Sequence, residues 1–170
     1  MKITLIILQS LDGIIARQQG DDLSWGTAED KNFFRSKTRE IGTMIMGSST
    51  YKQMPPPAFS DRCSLVFTSK PEEFPKQEQI HFFQGTPAEG VKYLESLGKT
   101  TAALIGGGTI NNEFLEAGLV DELYITIAPR IFGTGVKGLG EKQLAVKLEL
   151  LDFEKISKDE LLLHYRVRKD

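Results

Sequence analysis

A chain of 170 residues with 40% hydrophobic side chains can bury one substantial core and leaves little room for a second, so a single domain over residues 1–170 is expected. The net charge of -2, from 21 basic and 23 acidic residues without a Lys/Arg cluster, argues against nucleic acid as a partner. The single cysteine, Cys63, cannot close an internal disulfide and has no Cys or His at metal-ligand spacing, which points to a metal-free protein in a reducing cytoplasm.

Met1 to Leu8 is too short an apolar run to span a membrane and has no small-residue cleavage site after it, so it reads as a buried first strand. Residues 10–26 are rich in Gly, Asp and Gln. Within them, residues 12–24 are expected to act as a lid hinged by Gly13 and Gly20. Thr27-Ala-Glu-Asp30 opens a helix, with Glu29 facing solvent and Phe33, Phe34 and Ile41 forming its apolar stripe. Apolar runs at 43–46 and 64–67 read as strands, and Cys63 reads as a buried small side chain at a strand start. Between them lies an irregular Pro-rich stretch, 52–62. Thr86-Pro-Ala-Glu89 opens a second helix with proline at its first position, and Gly98 and Gly118 supply helix stops. Further apolar runs lie at 102–105 and 123–128. Past Gly140, residues 148–156 and the alternating Leu161, Leu163, Tyr165 and Val167 read as an antiparallel hairpin around a polar turn, Ser157 to Glu160. His81 and His164 stand alone on predicted strand edges and read as structural. The fold class is therefore α/β: a mostly parallel central sheet between helical layers, closed by a C-terminal hairpin.

The run from Ala102 to Leu115 carries the most chemistry. It passes from strand through Gly106, Gly107 and Gly108 into a helical pattern, which removes every Cβ at the turn and aims free N–H groups at an incoming anion. A phosphate or pyrophosphate fits such a turn; a βα turn that binds nothing is the plainer alternative. The spacing matches neither the dinucleotide fingerprint nor the Walker pattern, and Gly133 to Gly138, which matches the fingerprint on paper, does not open a helix.

Ser24-Trp25, Asp30 to Phe34, Met44-Ile-Met-Gly47, Arg62, Phe67-Thr-Ser69, Ile105 to Gly108 and Leu123 to Thr126 together resemble the dihydrofolate reductase superfamily over almost the whole chain. Ser10 to Ala16, and above all Val120 to Gly135 with its Ile-Ala-Pro and Gly-Thr-Gly segments, resemble the reductase domain of the riboflavin-pathway deaminase/reductase. The resemblance implies a dihydrofolate-reductase-like fold, a homodimer, and NADPH lying across the C-terminal ends of the strands. It carries phosphate holding to Gly47, Ser48, Ser49 and Thr50. The loop beside the adenosine 2′-phosphate falls on Thr68, Ser69 and Lys70, and the pyrophosphate turn on Ile105, Gly106, Gly107, Gly108 and Thr109. Ile15 and Ala16 join the cofactor set. Ser48 stands where dihydrofolate reductases commonly have a basic residue, which leaves Lys70 to favour NADPH over NADH.

For the substrate, the resemblance gives Asp30 the role of the acid that meets a heterocycle; from the residues alone, Asp30 is equally the N3 partner of Thr27 in a capping box. Thr126 matches the threonine that supports that carboxylate. Phe34 either stacks on a planar ring or packs in the core, and Trp25 either closes the site or covers the sheet edge. Arg62 stands where dihydrofolate reductases grip a substrate carboxylate, or pairs with Asp61 at the surface. The expected reaction is direct hydride transfer to a small heterocyclic substrate. The leading expectation is a 5-amino-6-ribosylaminopyrimidine phosphate, against which Ile14 replaces the usual lysine of that branch and no deaminase signature is present. The alternatives are dihydrofolate or another pterin-like ring and, in a different class, a nucleotide-binding protein without turnover.

Overall fold

A computed structural model describes residues 1–139 and 144–169; Gly140, where the sequence pattern changes, lies outside them. The strands are β1 (Lys2–Ser10), β2 (Ile14–Ala16), β3 (Thr43–Gly47), β4 (Cys63–Phe67), β5 (Ile80–Phe83), β6 (Thr101–Leu104), β7 (Glu122–Ala128), β8 (Val136–Lys137), β9 (Lys147–Lys155) and β10 (Leu161–Arg168). The helices are α1 (Ala28–Ile41), α2 (Ser48–Gln53), α3 (Pro87–Ser96) and α4 (Gly108–Glu116).

Eight strands form one sheet in the order β5-β4-β3-β6-β1-β7-β10-β9, and β2 pairs with β8 as a separate ribbon. Neighbours from β5 through β7 run parallel, and β10 is antiparallel to both β7 and β9. The expected α/β architecture, with its parallel sheet and terminal hairpin, is what the structure shows. β2 and β8 were not read from the sequence, and of β5 only the strand edge at His81 was. β5 is four residues long and follows a polar stretch, while β2 and β8 are too short for a period-two pattern to stand out.

Strand alternation sorts the core into two faces. Ile3, Leu5, Ile7, Ile45, Leu65, Leu123 and Ile125 pack with Leu94 of α3 and Phe114 of α4. Met44, Met46, Val66 and Ile80 point the other way, against Phe59 and Tyr51. Each of these aliphatic side chains contributes about 1.5–3 kcal/mol through burial. Cys63 is a free, buried thiol at the start of β4, and burial raises its proton affinity.

Helix starts follow the sequence signals. Thr86 forms a reciprocal capping box with Glu89, and Gly98 and Gly118 sit just past α3 and α4 with positive φ. The interior of α1 departs from expectation. Its buried residues are Asp30 and Thr38, and Phe33, Phe34 and Ile41 are only half-buried, so the helix lays a partly polar stripe on the sheet. Phe33 packs against Tyr124, with ring centroids 5.4 Å apart.

Candidate active site

Parallel pairing gathers the C-terminal ends of β1, β3, β4, β6 and β7 along one edge of the sheet, where βα loops can converge on a ligand. The Gly47 N–H donates to the Gly106 carbonyl at 2.8 Å, which ties the end of β3 to the glycine turn after β6. Gly106 has φ +111, a conformation that disfavours any side chain, and is joined to Gly107 by a cis peptide. Gly107 is the cap residue of α4 and Gly47 that of α2, and neither has a side chain to satisfy the first-turn N–H groups. A Cβ built on Gly107 would stand 3.6 Å from Thr50 Oγ1, so Thr50 and the glycine turn face each other across a narrow gap. No atom lies within 4 Å of a Cβ built on Gly47. These are the features an anionic pyrophosphate needs: close backbone approach, N–H donors and a hydroxyl.

Of the other residues expected to hold the cofactor, Ser48, Thr68, Ile105, Ile15 and Ala16 are half-buried, as is Thr50, whereas Ser49, Ser69, Lys70 and Thr109 are exposed. Gly108 is buried in the first turn of α4. Lys70 pairs with Glu73 at 2.7 Å, and its N–H donates to Thr68 Oγ1. Behind the turn, Asn111 Nδ2 donates to the Gly138 carbonyl at 2.8 Å.

The first part of the expected lid is fastened down. Asp12 accepts from Ser10 Oγ and from the N–H groups of Phe132 and Gly133, and these bonds hold its carboxyl below the usual carboxylate range. Ile14–Ala16 then pairs with Val136–Lys137. Gly133 to Gly138 thus serves a strand ribbon and opens no helix, as the sequence reading holds. Arg17 chelates buried Asp21 through Nε and Nη2. The chain then reaches Trp25, which is 9% exposed, packs edge-on against Phe132 and has a buried Nε1 without a hydrogen-bond partner among the described residues.

On the α1 face of the sheet, alternation sends Leu123 and Ile125 to one side and Thr126 to the other, toward Asp30. The Thr27 hydroxyl accepts the Asp30 N–H at 3.2 Å, which is half of a capping box. The Asp30 side chain does not complete it: the group that most favours its charged form is the Thr126 hydroxyl on β7. Asp30 is 7% exposed, and burial first, then the nearby Glu160 carboxylate, raises its proton affinity against the opposing pull of Thr126 and Lys31. Phe34 lies one turn further along the same helix, and the Thr38 hydroxyl donates to its carbonyl at 2.7 Å.

Arg62 is not at the surface. It is 3% exposed, donates to the Thr38 hydroxyl, the Ala58 carbonyl and Asp61, and braces α1 against the loop before β4. Neither histidine stands alone. His81 on the edge strand β5 meets Tyr93 at 3.0 Å; His164, on the interior strand β10, stacks on Tyr124 and meets Glu122 at 3.1 Å. The sequence reading missed Glu160. In a polar turn nothing distinguishes it from Asp159, yet it is 1% exposed and accepts from Thr27 and Ser157. Among the described residues no group of His, Cys, Asp and Glu could hold a metal, and no helix is long and apolar enough to cross a membrane.

Residues 1–162 match the RibD C-terminal domain. The chain belongs to that family. The uncharacterized protein YwjB of Bacillus subtilis (strain 168) is 28% identical over 155 residues, 88% of each chain. The fold is shared with a diaminohydroxyphosphoribosylaminopyrimidine deaminase/5-amino-6-(5-phosphoribosylamino)uracil reductase of Thermotoga maritima. The TM-score is 0.81 at 17% identity, covering 98% of this chain and 56% of that one. It is shared also with an Enterococcus faecalis dihydrofolate reductase complexed with NADP(H), at TM-score 0.74 and 21% identity, covering 99% and 97% of the two chains. The RibD C-terminal domain fold of this chain is thus the dihydrofolate-reductase-like one expected from its residues.

Proposed function

We propose that this RibD-family domain is an NADPH-dependent reductase acting by direct hydride transfer on the ribosyl carbon of a 5-amino-6-ribosylaminopyrimidine phosphate. The observation that carries the reading is the Asp30 carboxyl, buried and stabilised by Thr126 near the C-terminal end of β7, the same end of the parallel strands at which the Gly106–Gly107 turn follows β6. Gly47, Thr50 and Gly106 to Thr109 would hold the pyrophosphate, and Thr68, Ser69 and Lys70 the adenosine 2′-phosphate. Bound reduced nicotinamide supplies the hydride. In the ring-opened form of the substrate, reached when the C1′–O4′ bond breaks and O4′ takes the N–H proton, C1′ is an imine carbon. Asp30, whose burial favours the protonated form, gives a proton to the imine nitrogen as C1′ takes the hydride, so the C=N bond becomes CH–NH. Thr126 fixes the carboxyl's orientation, Trp25 and Phe34 flank the heterocycle, and the segment from Asp12 to Ser24 excludes water.

Dihydrofolate is the second reading. Arg62, which would grip its carboxylate, already has donors engaged by Thr38, Ala58 and Asp61, and this favours the ribosylaminopyrimidine. We assign the enzyme to the cytoplasm, where the free Cys63 thiol is stable. We also assign it a homodimeric state, supported by the apolar side chains Leu148, Leu150 and Phe153 exposed on edge strand β9.

The test is to titrate the purified protein with NADPH and NADH, then follow loss of the reduced nicotinamide band with each substrate. Turnover of the ribosylaminopyrimidine that vanishes in Asp30→Asn supports the reading. Turnover of dihydrofolate alone moves the assignment to the second reading, and NADPH binding without turnover of either makes the protein a nucleotide-binding one.

A further inference from the structure

Glu160 is a buried carboxylate that the proposed reaction does not use. It stands just before β10, with its backbone carbonyl accepting the Ile156 N–H at 3.1 Å. Its Oε2 accepts from the Thr27 hydroxyl, 133 residues away, and from Ser157 Oγ at 3.1 Å; its Oε1 is buried without a hydrogen-bond partner among the described residues. Two hydroxyl donors on one oxygen solvate a carboxylate ion. Thr27 is also the cap of α1, and the oxygen that donates its proton to Glu160 accepts the Asp30 N–H. Glu160, Thr27 and Asp30 therefore form one chain of contacts from the hairpin turn to the candidate acid. The two carboxyl groups interact electrostatically in a site from which solvent is largely excluded.

We propose that Glu160 is a positioning residue for Asp30: pinned to the cap of α1 through Thr27, its carboxylate fixes the turn that carries Asp30 and sets the proton occupancy of the Asp30 carboxyl. The physical reason is that two like charges in one poorly solvated site cannot both form cheaply. Glu160, with two hydroxyl donors, is the better stabilised anion. Asp30, with Thr126 as donor and Lys31 as the cationic neighbour, is left to hold the proton. Among the described residues Glu160 and Lys31 are the charged side chains that act on the Asp30 carboxyl, and Lys158 and Asp159 beside Glu160 are exposed.

The kinetic consequence rests on the reductase reading; the titration does not. In the full-length protein without substrate, the side-chain carboxyl signals of Asp30 and Glu160 are followed by carbon-detected NMR across pH 3–9. Wild type is expected to show an Asp30 step above the usual carboxylate range. Glu160→Gln should move the Asp30 step down by about one pH unit, since a like charge in a desolvated site is worth about that much. An Asp30 step at the same pH in wild type and Glu160→Gln overturns the proposal; if Glu160→Gln does not fold, an Asp30 step left unmoved by Ser157→Ala, which removes one of the two donors to Glu160, does so. With turnover established, Glu160→Gln should shift the alkaline limb of kcat to lower pH by the same interval, about tenfold in rate on that limb, with the Kd for NADPH unchanged. Absence of turnover with the coupling intact refutes the reductase reading alone.

Discussion

The Thr126 hydroxyl, on the strand that pairs with both β1 and β10, stabilises the carboxylate of Asp30 in the first turn of α1 against the cost of its burial. This contact takes Asp30 out of a reciprocal cap and seats it in a buried place that disfavours its charge. Asp30→Asn is expected to reduce turnover by at least about 100-fold, the usual contribution of a positioned acid, with NADPH affinity retained. The stability effect has the opposite sign. The folded-state proton affinity of Asp30 is raised, so its stabilising contribution is present below the unfolded value and is lost as pH rises through the folded one. Asp30→Asn should therefore melt higher than wild type at pH 8, with the difference closing toward pH 4. Thermal melts across pH check this; a variant that melts lower at pH 8 contradicts the assigned burial cost.

The two glycines of the turn should separate stability from binding. Gly106 has a positive φ that a side chain resists, so Gly106→Ala is expected to cost about 1–2 kcal/mol of folding stability. Gly107 has φ -72, and a Cβ there meets Thr50 Oγ1 at an ordinary 3.6 Å. Gly107→Ala should fold normally yet weaken NADPH binding about tenfold or more, because its methyl group fills the approach to the α4 N-terminus. Paired melting and fluorescence titrations distinguish the two; equal effects on both quantities would refute the division.

Arg62→Ala leaves the Ala58 carbonyl and Thr38 hydroxyl short of a buried donor and is expected to cost about 2–4 kcal/mol. Lysine cannot reproduce the guanidinium fork, so Arg62→Lys should recover less than half of that loss. Urea unfolding of the three proteins measures it. A loss of substrate affinity at wild-type stability would instead restore Arg62 to the substrate.

Arg17 holds buried Asp21 well below the usual carboxylate range. The stability this pair gives the loop is present above about pH 4 and is lost as pH falls toward the folded value. Trp25, the only tryptophan, is four residues beyond Asp21 and reports on the loop. Its fluorescence should stay constant in wild type down to pH 4, whereas Arg17→Gln should begin its acid transition at higher pH. Superimposable acid titrations would show that the pair does not hold the loop.

The elements that carry the site were legible where local pattern is strong. The apolar run to Leu104, the Thr27 and Thr86 caps, the stops at Gly98 and Gly118 and the alternation from Leu161 to Val167 each declare an element within one or two turns of chain. So does the glycine turn, since an absent Cβ is a local property. The same locality explains the gaps. β5 has only four residues to show a period, and the α1 stripe looked apolar because its phenylalanines outshout Asp30 and Thr38 in any hydropathy reading.

Sequence alone therefore determined the α/β order, the parallel sheet with its terminal hairpin, and the three glycines where an anion can approach. Tertiary structure decided which polar groups went inside. Asp30 turned from its cap to Thr126 across the sheet, Arg62 left the surface to bind Thr38 and Ala58, and Glu160 was buried by a hydroxyl 133 residues distant. Those outcomes depend on hydrogen bonds between segments that share no local pattern, and burial of a charged group is favourable only when such partners are already in place.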